Sequence, residues 1–325
     1  MIPPILSKHL SVRLVGDKTV LNLGWQSVWL RLALLSFLLG REPSPAAMPR
    51  GAIVFSSFSQ GKWELFMWQW QGSPRAFTSQ GGELRNPAFS QDSLKLAFIG
   101  SDGSLWCMNL STMTEWKLGS RFASGSYGNP TWLASNELAY TLYSVIPPNE
   151  DSDIYSYSFG DGKQKALIRH TGSQDYPSAS PSGDRLAYMS SVTTTVVGLG
   201  TTITQQLWVA DLRTGKVEQL TVGGSRDTHP SWSPDAKTIA FSSDRDGQPE
   251  IWTIDLATRK LTKLTKGKGD KTDPCWSPDG KQILYVTTAT GKRSLELFDV
   301  ATGQTKPLNP FGDKDIEIRD PAWGR

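Results

Sequence analysis

The residues best supplied for chemistry in this 325-residue chain are six that stand immediately before a proline: Asn86, Asn129, Tyr176, His229, Asp273 and Asp320. Two carboxylates, an imidazole, a phenol and two carboxamides suit either of two tasks. They can form a polar rim that hydrogen-bonds a protein or peptide, or Asp273, Asp320 and His229 can hold a divalent cation for a hydrolase or lyase acting on a small ester or glycan. Other catalytic groups are scarce. The chain has no G-x-S-x-G, H-E-x-x-H, C-x-x-C or G-x-x-x-x-G-K pattern, and its three histidines are His9, His170 and His229. "DRDGQPE" at 244–250 contains D-x-D-G but lacks a third acidic ligand and the distal bidentate Glu of a calcium loop, so it reads as a hairpin turn. Cys107 and Cys275 lie in apolar stretches and read as buried thiols. These residues imply no catalytic site and no cofactor.

The six prolines, Pro87, Pro130, Pro177, Pro230, Pro274 and Pro321, mark a repeat. Its clearest copies are "HPSWSPDAKTIAFSSDRDGQPEIWTIDLATRKLTKLT" at 229–265 and "DPCWSPDGKQILYVTTATGKRSLELFDVATGQTKPL" at 273–308. Each holds four short β-prone runs separated by Asp, Gly and Pro, the residues that tight turns require. The second run recurs as Ile53-Val54-Phe55, Leu96-Ala97-Phe98, Leu138-Ala139-Tyr140, Leu186-Ala187-Tyr188, Ile239-Ala240-Phe241 and Ile283-Leu284-Tyr285. Continuous apolar strands fit a sheet buried on both faces. Four antiparallel strands per unit, repeated six times with no helical period, predict an all-β, six-bladed β-propeller of four-stranded blades. Trp132, Trp232, Trp276 and Trp323, with Phe89, share one repeat position and read as wedges between blades.

First strands of the P-x-W kind precede five of the six units. The unit near Gly51 lacks one, and "DPAWGR" at 320–325 stands unpaired at the other end. The expectation is that residues 320–325 pair with the first blade and close the ring, leaving no exposed sheet edge.

The pattern P-x-W-S-P-D-G-K-x-I-A-F, followed by I-W-x-x-D-L-x-T-G-K and L-T, resembles the propeller repeat of the TolB family, the periplasmic component of an envelope system. The resemblance covers residues 51–325, strongest in the last two blades. It implies a six-bladed ring and a protein-binding function. TolB proteins carry an α/β domain ahead of the propeller, where this chain has about 50 residues, so the propeller is what the resemblance carries over. Prolyl-oligopeptidase-like enzymes share the repeat but keep their nucleophile in a separate hydrolase domain.

Irregularity among repeats marks where binding is expected. The loop between the second and third strands is lengthened in two adjacent units, as "TLYSVIPPNEDSD" (141–153) and "SSVTTTVVGLGTTITQQ" (190–206). Candidate contact residues there are Tyr143, Asp151 and Asp153 in the first, and Val197 and Leu199 at the tip of the second. Because strands alternate direction, these loops emerge on the face where the six pre-proline residues ring the channel mouth.

Charge separates leader from body. The first 50 residues hold six of the 34 basic residues and two of the 31 acidic ones, so the net charge of +3 belongs to the leader. The near-neutral remainder argues against a nucleic-acid partner. "LALLSFLLG" at 32–40 would span about 14 Å as a helix, short of a bilayer core of about 30 Å. It fits a secretory signal cleaved after Ala46, or an uncleaved segment at 25–40 that associates with the membrane. The expected organisation is a leader at 1–46 and a propeller at 47–325. The expected protein is a monomer, exported to the periplasm or envelope, that binds a protein or peptide partner.

Overall fold

The computed structural model describes residues 10–15, 18–23, 51–78, 82–119, 125–144, 151–196, 200–312 and 316–324. It divides into two compact units, Met1–Ala47 and Met48–Arg325. In the first, Leu10–Val15 and Lys18–Leu23 form an antiparallel hairpin. The apolar run at 32–40 lies outside the described residues. Among the described residues there is no helix long and apolar enough to cross a membrane.

The second unit is a ring of six four-stranded antiparallel sheets. Listed from the innermost strand outward, blade 2 is Arg85–Phe89, Lys95–Ile99, Leu105–Asn109 and Thr114–Gly119. Blade 3 is Gly125–Ala134, Glu137–Ser144, Ser152–Ser158 and Gln164–Ile168. Blade 4 is Ser173–Ala179, Arg185–Val196, Gly200–Asp211 and Val217–Gln219. Blade 5 is Asp227–Trp232, Thr238–Ser243, Glu250–Asp255 and Leu261–Lys263, and blade 6 is Lys271–Trp276, Gln282–Thr287, Ser294–Asp299 and Thr305–Leu308. Blade 1 is the composite: its innermost strand is Ile318–Trp323, followed by Ile53–Ser59, Lys62–Trp68 and Arg75–Ala76.

That composite sheet closes the ring as expected. Ile318 pairs with Ser57, Arg319 with Ser56, Ala322 with Val54 and Trp323 with Ile53. Trp323 Nε1 donates to Gly51 O at 3.0 Å, and Trp70 Nε1 donates to the same carbonyl at 2.8 Å. The two ends of the propeller are thus joined by ladder bonds and by an indole pair whose centroids lie 5.2 Å apart.

Period-two alternation explains the continuous apolar strands. Within Ile53-Val54-Phe55, all fully buried, Ile53 and Phe55 pack against Leu284, Val286 and Leu295 of blade 6, while Val54 packs against Leu96 and Phe98 of blade 2. Both faces of each strand meet a neighbouring blade, and each side chain so buried contributes roughly 1.5–3 kcal/mol. The wedge reading of the tryptophans also holds: Trp132 Nε1 donates to Ala88 O of blade 2 and Trp232 Nε1 to Ser178 O of blade 4, both at 3.0 Å. Cys107 is buried, and burial pushes its thiol up to about 12. Cys275 departs from expectation: it is half-buried and lines the channel, because it follows Pro274 on an innermost strand.

Candidate functional site: the channel mouth

In every blade the pairing of the two inner strands slips at the same place. The register breaks between Arg85 and Ala88, Gly128 and Thr131, Asp175 and Ser178, Thr228 and Ser231, Thr272 and Cys275, and Arg319 and Ala322. Each break admits one extra residue on the inner strand, a β-bulge, and re-aims a side chain. The bulge holds the pre-proline residue and the proline. Proline has no N–H to lose from the ladder. The residue before it sits in the left-handed region, with φ from 43 to 53° at Asn86, Asn129, Tyr176, His229, Asp273 and Asp320. Asn, Asp and His tolerate that conformation better than other side-chain-bearing residues, which accounts for five of the six on backbone grounds alone. Tyr176 is the exception, and a bulky residue there is strained by roughly 1–3 kcal/mol.

The bulges turn all six residues inward, where with their prolines they enclose a cavity of about 140 Å³ at the channel mouth. Two neighbouring pairs of the six, His229 with Asp273 and Asn86 with Asp320, are joined by hydrogen bonds. His229 Nε2 lies 2.9 Å from Asp273 Oδ1, and its Nδ1 lies 2.9 Å from Thr228 Oγ1. The imidazole leans on the Tyr176 ring, with centroids 3.9 Å apart. Thr272 Oγ1 donates to Asp273 at 3.0 Å. Asp320 Oδ2 accepts from Ser56 Oγ and from the Asn86 N–H, each at 3.2 Å, and Arg319 Nε lies 3.5 Å away. The Arg319 guanidinium rests on the Trp63 ring at 3.8 Å.

The charges are mutually tuned. For His229, burial is the largest influence and opposes protonation. The Asp273 carboxylate and its hydrogen bond, backed by Asp175 and Asp320, outweigh it and raise the imidazole above 6.5. Asp273 is likewise pushed up by burial and pulled further down by His229 and Thr272, ending below 3.8. Asp320 ends above 3.8, because burial and the nearby Asp273 charge exceed the help from Arg319 and the Asn86 N–H. The mouth therefore holds an imidazole whose protonation the Asp273 carboxylate favours, beside a carboxyl group whose ionisation burial and Asp273 oppose.

One residue escaped the sequence reading. Asp175, directly before Tyr176 and 8% exposed, accepts from Asn129 Nδ2 at 2.7 Å, Thr141 Oγ1 at 2.8 Å, Tyr143 OH at 2.8 Å and the Tyr176 N–H at 2.7 Å. It ties the first insertion to the ring, since Tyr143 also meets Asn129 Nδ2 at 3.0 Å. Burial, then the Asp175 charge, pushes the Tyr143 phenol well above its usual range. Gly128 makes room: a Cβ there would stand 2.4 Å from Tyr143 Cε2. The available signal was an acid at the position that is Gly128, Thr228 and Thr272 in blades 3, 5 and 6.

Asp151 and Asp153 of the first insertion are not brought to the ring. Asp153 pairs with Arg169 at 3.4 Å, and Asp151 accepts from Ser173 Oγ at 3.4 Å. Val197 and Leu199 lie outside the described residues, but the strands leading to them form a long hairpin, with Val192 opposite Thr204 and Val196 opposite Gly200. The D-x-D-G segment is a turn: the Gly247 N–H donates to Asp244 O at 2.8 Å, Gly247 has φ of 101°, and Asp246 pairs with Lys263. Among the described residues no group of three His, Cys, Asp or Glu is arranged to hold a metal ion.

Comparison with known proteins agrees with this architecture. The chain is similar to the crystal structure of TolB from Acinetobacter baumannii, at 19% identity over 97% of this chain and 82% of that one, with a TM-score of 0.69. It is also similar to an oligogalacturonate lyase in complex with manganese, at 14% identity over 79% of this chain and 73% of that one, with a TM-score of 0.56. At these identities the likeness is one of fold, and the fold is shared by proteins with and without catalytic titles. Among curated proteins, an uncharacterized peptidase, YuxL of Bacillus subtilis (strain 168), is 39% identical over 71 residues, which is 22% of this chain and 10% of that protein. The family model for the TolB beta propeller domain matches residues 129–316, and the chain belongs to that family.

Proposed function

We propose that this propeller is an exported binding scaffold that takes a protein or peptide partner on the face carrying the channel mouth and the two lengthened loops. The observation that carries the reading is Asp175. A buried carboxylate that gathers Asn129, Thr141, Tyr143 and Tyr176 makes the first insertion and the ring one preorganised polar surface, the arrangement that lowers the cost of ordering an interface. The resemblance to TolB supports a protein partner in the cell envelope, and the apolar run at 32–40 supports export. The alternative, metal-assisted hydrolysis or elimination at the mouth, draws on the lyase likeness. It is less favoured because Asp273 and Thr228 already engage both nitrogens of His229.

A photo-crosslinking amino acid placed at Tyr176 or His229 tests the reading in the native envelope. A discrete protein adduct from the rim, absent when the probe is at Thr258 or Arg259 in the turn between the outer strands of blade 5, is expected. Replacing residues 193–203 with an Asn-Gly turn should remove that adduct while sparing the melting temperature, since a tight turn between Val192 and Thr204 keeps the two strands paired. An adduct from Thr258 and none from the rim would assign the working face to the opposite side.

A further inference from the structure

Beyond that reading, the hairpin of blade 4 has a property that no other blade shares among the described residues. Its two strands outrun their neighbours. The innermost strand stops pairing at Ser173–Ser191, and the outermost covers only Ala210 to Trp208, with one parallel bridge at Gln205–Arg226. Among the described residues no strand pairs with the channel-side edge of 192–196. At about 3.4 Å per residue, a five-residue projection reaches about 17 Å past the blade.

Free edges are ordinarily guarded by charge or proline. The outermost strands here follow that rule: Arg75, Glu115 and Lys117, Lys165, Glu218, Lys263, and Lys306 with Pro307 mark all six. The hairpin does not. Residues 192–206, "VTTTVVGLGTTITQQ", contain no charged residue and no proline, and are rich in the β-branched residues that favour pairing. The channel-side edge, Val192 to Val196, reads V-T-T-T-V in both directions.

We infer that this edge pairs with the same edge of a second copy, antiparallel and centred on Thr194. The palindrome makes that register self-complementary. Val192 then faces Val196 of the second copy, Thr193 faces its Thr195, and Thr194 faces itself across a two-fold axis, so like meets like on both sides of the seam. An uncharged strand also meets its twin without electrostatic conflict, whereas each guarded edge of the ring would bring charge into the seam. The two blade-4 sheets become one continuous sheet, and the projecting hairpins hold the two channel mouths toward each other. Five residues per strand make a small contact, so the dimer forms with rising concentration instead of being obligate.

Sedimentation equilibrium across a dilution series, with Cys275→Ser as parent, is the test. The weight-average mass should climb from 35.8 kDa toward twice that value. Thr193→Lys with Thr195→Lys places like charges opposite each other twice and should weaken the association about tenfold or more. Under mild oxidation Thr194→Cys should give a covalent dimer, because directly opposed antiparallel residues lie within disulfide reach, at about 4.5–5.5 Å between Cα atoms. Thr202→Cys, one strand away from the seam, should not. A monomer at every concentration, or a dimer captured by Thr202→Cys and not by Thr194→Cys, overturns the inference. Neither result bears on whether the rim crosslinks a different protein.

Discussion

Removing the carboxylate of Asp175 should destabilise the propeller and disorganise its mouth together. In Asp175→Ala four donors lose their acceptor. Two have no alternative: the Thr141 hydroxyl is fully buried, and the Tyr176 N–H is held against the carboxylate by the bulge. A buried donor left unsatisfied costs about 1–3 kcal/mol. Asn129 and Tyr143 border the cavity, where water can replace part of what they lose, so the total should be about 3–5 kcal/mol. For a domain of this size each kcal/mol moves the melting temperature by roughly 2–4 °C, so a fall of roughly 6–20 °C is expected by circular dichroism. Asp175→Asn keeps the shape and one acceptor oxygen, and the Tyr143 hydroxyl can rotate to accept from the new amide. About half the loss should remain. If Asp175→Ala melted within about 2 °C of the parent, or if Ala and Asn were equivalent, Asp175 would not be organising the mouth.

Three further outcomes follow from the same geometry. Deleting residues 318–325 removes a ladder strand, the Trp323 bond to Gly51 and the packing of Ile318; at about 3–5 kcal/mol for the indole plus about 1 kcal/mol per ladder bond, against a net stability of about 5–15 kcal/mol, the protein should unfold or aggregate, and an unchanged melting temperature would sink the closure model. His229 is raised above 6.5 in the folded state, so the stability it contributes is complete below 6.5 and is lost as pH rises through the elevated value; urea midpoints should decline over that interval for the parent and stay level for His229→Asn, and parallel profiles would show that the Asp273 pair does not act. Lys271→Met should cost about 3–5 kcal/mol by urea titration, because Lys271, 2% exposed, bonds the carbonyls of Gly267, Lys268 and Gly269 at 2.8–2.9 Å and pairs with the buried Glu250, and a cost near zero would mean that the loop carbonyls rehydrate freely.

The ring was legible in the primary structure because a propeller blade is a local object. Four strands and three turns fall within about 45 consecutive residues, so the apolar triplets and turn residues recur at a fixed period. Even the one non-local pairing, Trp323 with Ile53, could be anticipated, since an orphan P-x-W at one end and a missing one at the other can be matched by counting. The six pre-proline positions were visible for the same reason. Their inward aim was not, because it depends on a bulge that exists only once two strands have paired out of register. Asp175 was hidden more deeply. Its partners Asn129, Thr141 and Tyr143 lie 32 to 46 residues away on another blade, and no spacing rule links them. The reach of His229 to Asp273 and the resistance of Asp320 to ionisation belong to the same class. Strand and turn propensities act between near neighbours and leave a periodic trace in the chain, whereas the burial and charge that tune the mouth arise from groups on different blades that closure alone brings within hydrogen-bonding distance.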